Sequence, residues 1–145
     1  MENIVNAPAE TGRCLCGACR LSATPAPEAD ICHCGFCRKW SGGMFIGVAS
    51  ATPVTFNDDA PLGVFQSSAW GERVFCRSCG SSLVWRSQDG AHHVVSVQVF
   101  DDPGRFPVES EIFIDKKPAS YALAGPHRTM TEAEFMAQFA PQEEG

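Results

Sequence analysis

The chain has 145 residues, a formal net charge of −6 and eight cysteines. That length suits a single domain over residues 1–145 with a core of its own. The acidic balance, with lysine and arginine scattered and Arg38-Lys39 the nearest thing to a cluster, argues against a nucleic-acid surface, and no stretch reaches the ~18 apolar residues of a membrane span.

Residues 1–10 are small and polar with one proline, and are expected to fray. They show neither a basic n-region nor an apolar run, so no secretory signal is read there. A cytoplasmic protein is expected, and in that compartment clustered thiols are more often metal ligands than crosslinks.

Next comes Gly12-Arg13-Cys14-Leu15-Cys16-Gly17-Ala18-Cys19-Arg20. Cys14 and Cys16 are two apart, so an extended strand points both sulfurs to one side. The same parity turns Cys19 to the other face, where it reads as a small buried apolar residue. Thr24 to Glu28 is a loop by its prolines. Cys32-His33-Cys34-Gly35-Phe36-Cys37 follows, and one turn of chain can aim its three thiols at a single point. A helical turn is expected from Phe36 to Trp40, stopped by Gly42-Gly43.

Short strands are expected at Met44–Ser50, Val54–Phe56, Val64–Ser67 and Glu72–Phe75. The last delivers Cys76-Arg77-Ser78-Cys79-Gly80, a zinc knuckle in which a tight turn directs two sulfurs at one ion. A redox pair is the alternative, but such pairs usually open a helix. Here Leu83-Val84-Trp85 reads as another strand. From His92 to Phe100, Val95, Val97 and Val99 alternate with polar residues, the clearest strand signal in the chain. Asp101-Asp102-Pro103-Gly104 breaks it, and Glu111–Asp115 is a further strand. Thr131-Glu132-Ala133-Glu134 is a capping box that opens a C-terminal helix over 131–140, ending before Pro141. The fold class is all-β: stacked antiparallel sheets of short strands with zinc knuckles, plus a short C-terminal helix.

The chemistry follows from the thiols. Cys14, Cys16, Cys76 and Cys79 supply the four sulfurs that close a structural zinc. Cys32, Cys34 and Cys37 supply three, one short of closure, so a substrate thiol or water can complete the sphere. The bland alternative is a second closed site, with a fourth ligand from His33, His92, His93, His127 or Cys19. His33 is poorly placed for that, because both of its neighbours already bind. Trp40 and Phe45 could wall a pocket and Arg38 could meet a carboxylate, though core packing and a solvated arginine are the ordinary readings. Gly42-Gly43 lacks the strand-to-helix setting of a phosphate loop.

Taken together, Gly12-x-Cys14-x-Cys16-Gly17-Ala18, Cys32-His33-Cys34-x-x-Cys37-Arg38, Phe75-Cys76-x-x-Cys79-Gly80 and Asp101-Asp102-Pro103 resemble the glutathione-dependent formaldehyde-activating enzyme family, which includes centromere protein V. The resemblance runs from about Gly12 to Tyr121. Cys19 departs from it, standing where the family commonly has an aliphatic residue. It implies two Zn²⁺ per chain: a structural ion on Cys14, Cys16, Cys76 and Cys79, and a catalytic ion on Cys32, Cys34 and Cys37. The second ion is the one expected to be partly lost. It also implies a carbon–sulfur lyase that joins formaldehyde to glutathione as S-hydroxymethylglutathione, and it makes Asp101 worth testing. A zinc-stabilised binding module without catalysis and a thiol redox sensor are the competing readings. The partner is a small thiol, with neither nucleic acid nor membrane, and the oligomeric state is open.

Overall fold

In the computed structural model the described residues are 8–139. The strands are β1 (Glu10–Arg13), β2 (Arg20–Ala23), β3 (Ala29–Cys32), β4 (Phe45–Ala49), β5 (Thr55–Phe56), β6 (Leu62–Phe65), β7 (Gly71–Cys76), β8 (Ser82–Ser87), β9 (His93–Ser96), β10 (Val108–Ile112) and β11 (Arg128–Met130). Two helices join them: α1 (Gly35–Ser41) between β3 and β4, and α2 (Glu132–Ala137) after β11. The all-β expectation holds, with sheets of short strands and a short C-terminal helix. No helix among the described residues is long and apolar enough to cross a membrane.

The chain divides into two compact units. The first takes the described residues up to Ala29 together with Ile46–Pro107. In it β1, β2 and β5 form one antiparallel sheet, with Leu21 opposite Phe56. Strands β4, β9, β8, β7 and β6 run antiparallel in that order. A row of valines crosses four of them: Val48 faces Val95, Val95 faces Val84, and Val84 faces Val74. All four are 0% exposed. β-branched side chains stack well across a pleated surface, which is why this row is the centre of the core. Leu21 and Ala23 from the smaller sheet pack into the same cluster, so the two sheets are stacked. Leu83→Ala is expected to cost about 2–5 kcal/mol, because this leucine is fully buried in that cluster. A lowered denaturant midpoint with an unchanged slope would report it.

The second unit takes Asp30–Phe45 with the chain from Val108 onward. Here β10 lies between β3 and β11. β10 and β11 pair in parallel, Ser110 opposite Arg128, which departs from the expected wholly antiparallel pairing. The capping box at Thr131 and Glu134 is formed as expected. α2 is further held by Asp115, which accepts the Glu132 N–H at 2.8 Å, and by Phe135 against Phe113. Ala140, the last residue of the expected helix, lies outside the described residues, as do Met1–Ala7 of the expected frayed segment. Glu10 of that segment is ordered in β1, opposite Ala23.

The stretch from His92 to Phe100 is only half strand. β9 ends at Ser96, whose hydroxyl accepts the Gln98 N–H and turns Val97–Val99 into a 3₁₀ turn. The valines stay buried, but the backbone does not stay extended.

Candidate functional site

All eight cysteines are present as thiols rather than disulfides. Their sulfurs fall into two groups, each gathered within 4.8 Å: Cys14, Cys16, Cys76 and Cys79, and Cys32, Cys34 and Cys37.

The first group is built by two hairpin turns of the first unit. Cys14 directly follows β1 and Cys16 sits in the turn toward β2. The two are therefore not on an extended strand. The turn is pinned by Cys14 N–H to Cys19 C=O at 3.0 Å and Gly17 N–H to Cys14 C=O at 3.2 Å. Cys76 ends β7, and Gly80 N–H returns to its carbonyl at 2.8 Å. Gly80 takes φ +85°, the left-handed backbone this turn needs and glycine supplies freely. In each turn a later backbone N–H points at the first sulfur: Cys19 to Cys14 Sγ at 3.3 Å, and Cys79 to Cys76 Sγ at 3.4 Å. Burial pushes the Cys14 thiol up, but the Cys19 N–H and the neighbouring Cys16 and Cys76 outweigh it and hold that thiol below its usual range. Leu15 N–H donates to Ser81 Oγ and ties the two turns together.

The spacing can be tested against a cation. Tetrahedral zinc with Zn–S of about 2.3 Å has sulfur–sulfur edges of about 3.8 Å. Cys14 and Cys16 sulfurs are 3.7 Å apart, and Cys16 and Cys76 sulfurs 3.9 Å. The donor set fits. Without a cation, neighbouring thiols cannot share negative charge evenly. The Ser81 hydroxyl, helped by backbone N–H groups, draws Cys79 down to about 5. Cys16 is lowered by the Ala18 N–H but raised more by Cys14, desolvation, Cys79 and Cys76, ending at about 11.

Cys19 is 1% exposed, as expected of a buried thiol. It does not turn away from the cluster, because the hairpin breaks the strand parity that would have turned it. Burial first, then its contacts with Cys76 and Cys14, push its thiol up to about 12. It keeps its proton and stands beside the cluster rather than in it. Cys19→Ala is expected to leave the bound-metal count of the purified protein unchanged, as atomic emission would show.

The second group is built by α1. Cys32 ends β3. Cys34 is the helix N-cap, with φ −65° and ψ 157°, and its sulfur accepts the Cys37 N–H at 3.3 Å. A cap and the residue three beyond it lie together on the first turn, which is why Cys34 and Cys37 converge. The helix runs to Ser41 and Gly42 ends it at φ +77°, close to the expected turn. Cys37 is buried, while Cys32 and Cys34 are half-buried. Hydrogen bonding to Cys34 and Cys37, and then burial, raise the Cys32 thiol far above its usual range. A divalent cation must displace that proton. Cation uptake by this group is therefore expected to strengthen as pH rises and to release protons, which calorimetry in buffers of different ionisation enthalpy would detect.

Among the described residues no histidine joins either sulfur group. His33 turns its ring to Glu111, with Nε2 to Oε1 at 2.8 Å. His93 is held by Val54 N–H and Gly90 C=O. His127 lies 4.0 Å from Glu111 Oε2. Arg38 donates Nε–H to the His33 carbonyl at 3.0 Å. Trp40 and Phe45 rings pack 5.5 Å apart. Asp101 is exposed, and in the first unit it lines a cavity of about 440 Å³ with Arg13, Leu15, Ser81 and Gln98. Glu111 carries no motif. The one available signal was a carboxylate at the head of the apolar run Ile112-Phe113-Ile114.

The sequence model of the glutathione-dependent formaldehyde-activating enzyme family matches residues 9–116. An uncharacterized lyase of Schizosaccharomyces pombe is 28% identical over 131 residues, covering 89% of this chain and 96% of the relative. A Rhodobacter sphaeroides protein of known crystal structure is similar in fold, with a TM-score of 0.56 at 22% identity, over 68% of this chain and 99% of that one.

Proposed function

The chain belongs to the glutathione-dependent formaldehyde-activating enzyme family, and from that premise we propose that it is a zinc-dependent carbon–sulfur lyase acting on the adduct of a small thiol and an aldehyde. Glutathione and formaldehyde are the pair the family name supplies. The reading is carried by one observation: the Cys32, Cys34 and Cys37 sulfurs gather within 4.8 Å of one another, and no His, Asp, Glu or further Cys among the described residues joins them.

In the synthetic direction, the thiol sulfur forms a bond to the aldehyde carbon and the thiol proton ends on the carbonyl oxygen. The reverse step breaks that carbon–sulfur bond. A thiol attacks only as thiolate, and a free one is mostly protonated near neutral pH. A zinc ion bound to the three sulfurs supplies the means of holding a substrate thiol in its thiolate form, since three thiolates already outweigh its charge and weaken it as a Lewis acid. The protein's own part is geometric. Cys34 and Cys37 are fixed by the helix cap, and the Cys37 N–H aimed at Cys34 Sγ offsets negative charge on that sulfur. Cys14, Cys16, Cys76 and Cys79 act as a closed structural site that sets the hairpins of the first unit.

Two-dimensional NMR exchange between free formaldehyde and its glutathione adduct tests the reading. Exchange accelerated in proportion to the zinc-loaded protein supports it. A rate equal to that of buffer contradicts it and leaves a zinc-stabilised fold without this activity.

A further inference from the structure

Within the second unit, the residue between two of the proposed ligands is anchored at three points. The His33 N–H donates to the Ile112 carbonyl at 3.1 Å. The His33 carbonyl accepts from Arg38 Nε at 3.0 Å. The imidazole Nε2 meets Glu111 Oε1 at 2.8 Å. His33 is 0% exposed and Glu111 6%. Two of these anchors, Glu111 and Ile112, are adjacent on β10, and Glu111 is 78 residues along the chain from His33.

A buried carboxylate is costly unless strong hydrogen bonds compensate it. Here the compensation comes from the ligand loop itself. The other carboxylate oxygen faces His127, whose Nε2 is 4.0 Å away. With Nε2 engaged, His33 Nδ1 has no hydrogen-bond partner among the described residues. The pair to Glu111 is therefore the one side-chain hydrogen bond that fixes the ring among the described residues. A fixed ring fixes the His33 Cα and the directions in which Cys32 and Cys34 leave the backbone on either side.

We propose that Glu111, acting through His33, is a positioning residue for the Cys32–Cys34–Cys37 centre: it holds the loop in the geometry that brings the three sulfurs to one cation. This rests on the reading of that triad as a metal centre. Groups that orient metal ligands without touching the metal commonly alter affinity about 10–100-fold when removed.

Cobalt(II) titration of the full chain, followed by the thiolate-to-metal charge-transfer bands and by chelator competition, tests the proposal. Cys37→Ser supplies the spectrum of the four-cysteine site alone. Glu111→Ala is expected to weaken the second cobalt about 10–100-fold and shift its bands, while the first site's bands stay as in wild type. Glu111→Gln, whose amide oxygen still accepts from His33 Nε2, is expected to recover most of the affinity. A Glu111→Ala protein with the first-site spectrum intact and the second cobalt bound as in wild type overturns the proposal. If Glu111→Ala fails to fold, Glu111→Asp decides by the same readout, since it keeps the charge but withdraws the carboxylate from His33. Unchanged second-site affinity in Glu111→Asp would then overturn the proposal, and a loss of about tenfold would support it. Wild-type protein that takes cobalt only at the four-cysteine cluster overturns both this proposal and the reading beneath it.

Discussion

Cys76→Ser is expected to leave no cooperatively folded protein. Cys76 is 0% exposed, ends β7 and lies in the core cluster of the first unit. Its sulfur is 3.9 Å from that of Cys16, sixty residues earlier, and accepts the Cys79 N–H. One substitution therefore removes a cation ligand and places a hydroxyl in an apolar setting. Structural zinc in small peptides is worth about 10–16 kcal/mol, as much as or more than the ~5–15 kcal/mol by which whole domains are stable. Far-UV circular dichroism during a denaturant titration checks this. A sharp transition near the wild-type midpoint would contradict the structural role given to the four-cysteine cluster.

Cys37→Ser is expected to behave oppositely. The residue lies in the first turn of α1, in the second unit, whereas the valine row and the four-cysteine turns belong to the first. Stability should fall by no more than about 2 kcal/mol. One metal of two should be lost, and the glutathione-dependent exchange rate should drop by more than about 100-fold, since replacing a ligand exceeds the usual effect of replacing a group behind one. Metal analysis and the exchange measurement on the same sample check both parts. Equal rates in Cys37→Ser and wild type would end the lyase reading.

Much of this was legible in the sequence because cysteine spacing is local information. Cys76-x-x-Cys79-Gly80 requires a turn whatever surrounds it, and Gly80 is indeed at positive φ. The cap at Thr131 and Glu134 is local in the same way. The errors came where a local rule met a tertiary one. Cys14 and Cys16 share a side through a hairpin turn pinned by the Cys14–Cys19 backbone bond, so strand parity does not govern Cys19. The Val95-Val97-Val99 alternation suggested a long strand, yet the Ser96 hydroxyl caps a 3₁₀ turn at its midpoint. The parallel pairing of β10 with β11 and the meeting of His33 with Glu111 depend on contacts between distant segments. No periodicity in either segment encodes them.

In the proposed lyase the Cys32–Cys34–Cys37 centre holds its ion with three protein sulfurs and takes the fourth from substrate. Zinc-edge X-ray absorption of the loaded protein, with and without saturating glutathione, tests it most directly. A gain in sulfur neighbours is expected on adding glutathione, absent in Cys37→Ser. A sulfur count unchanged by glutathione in the wild-type protein would contradict it.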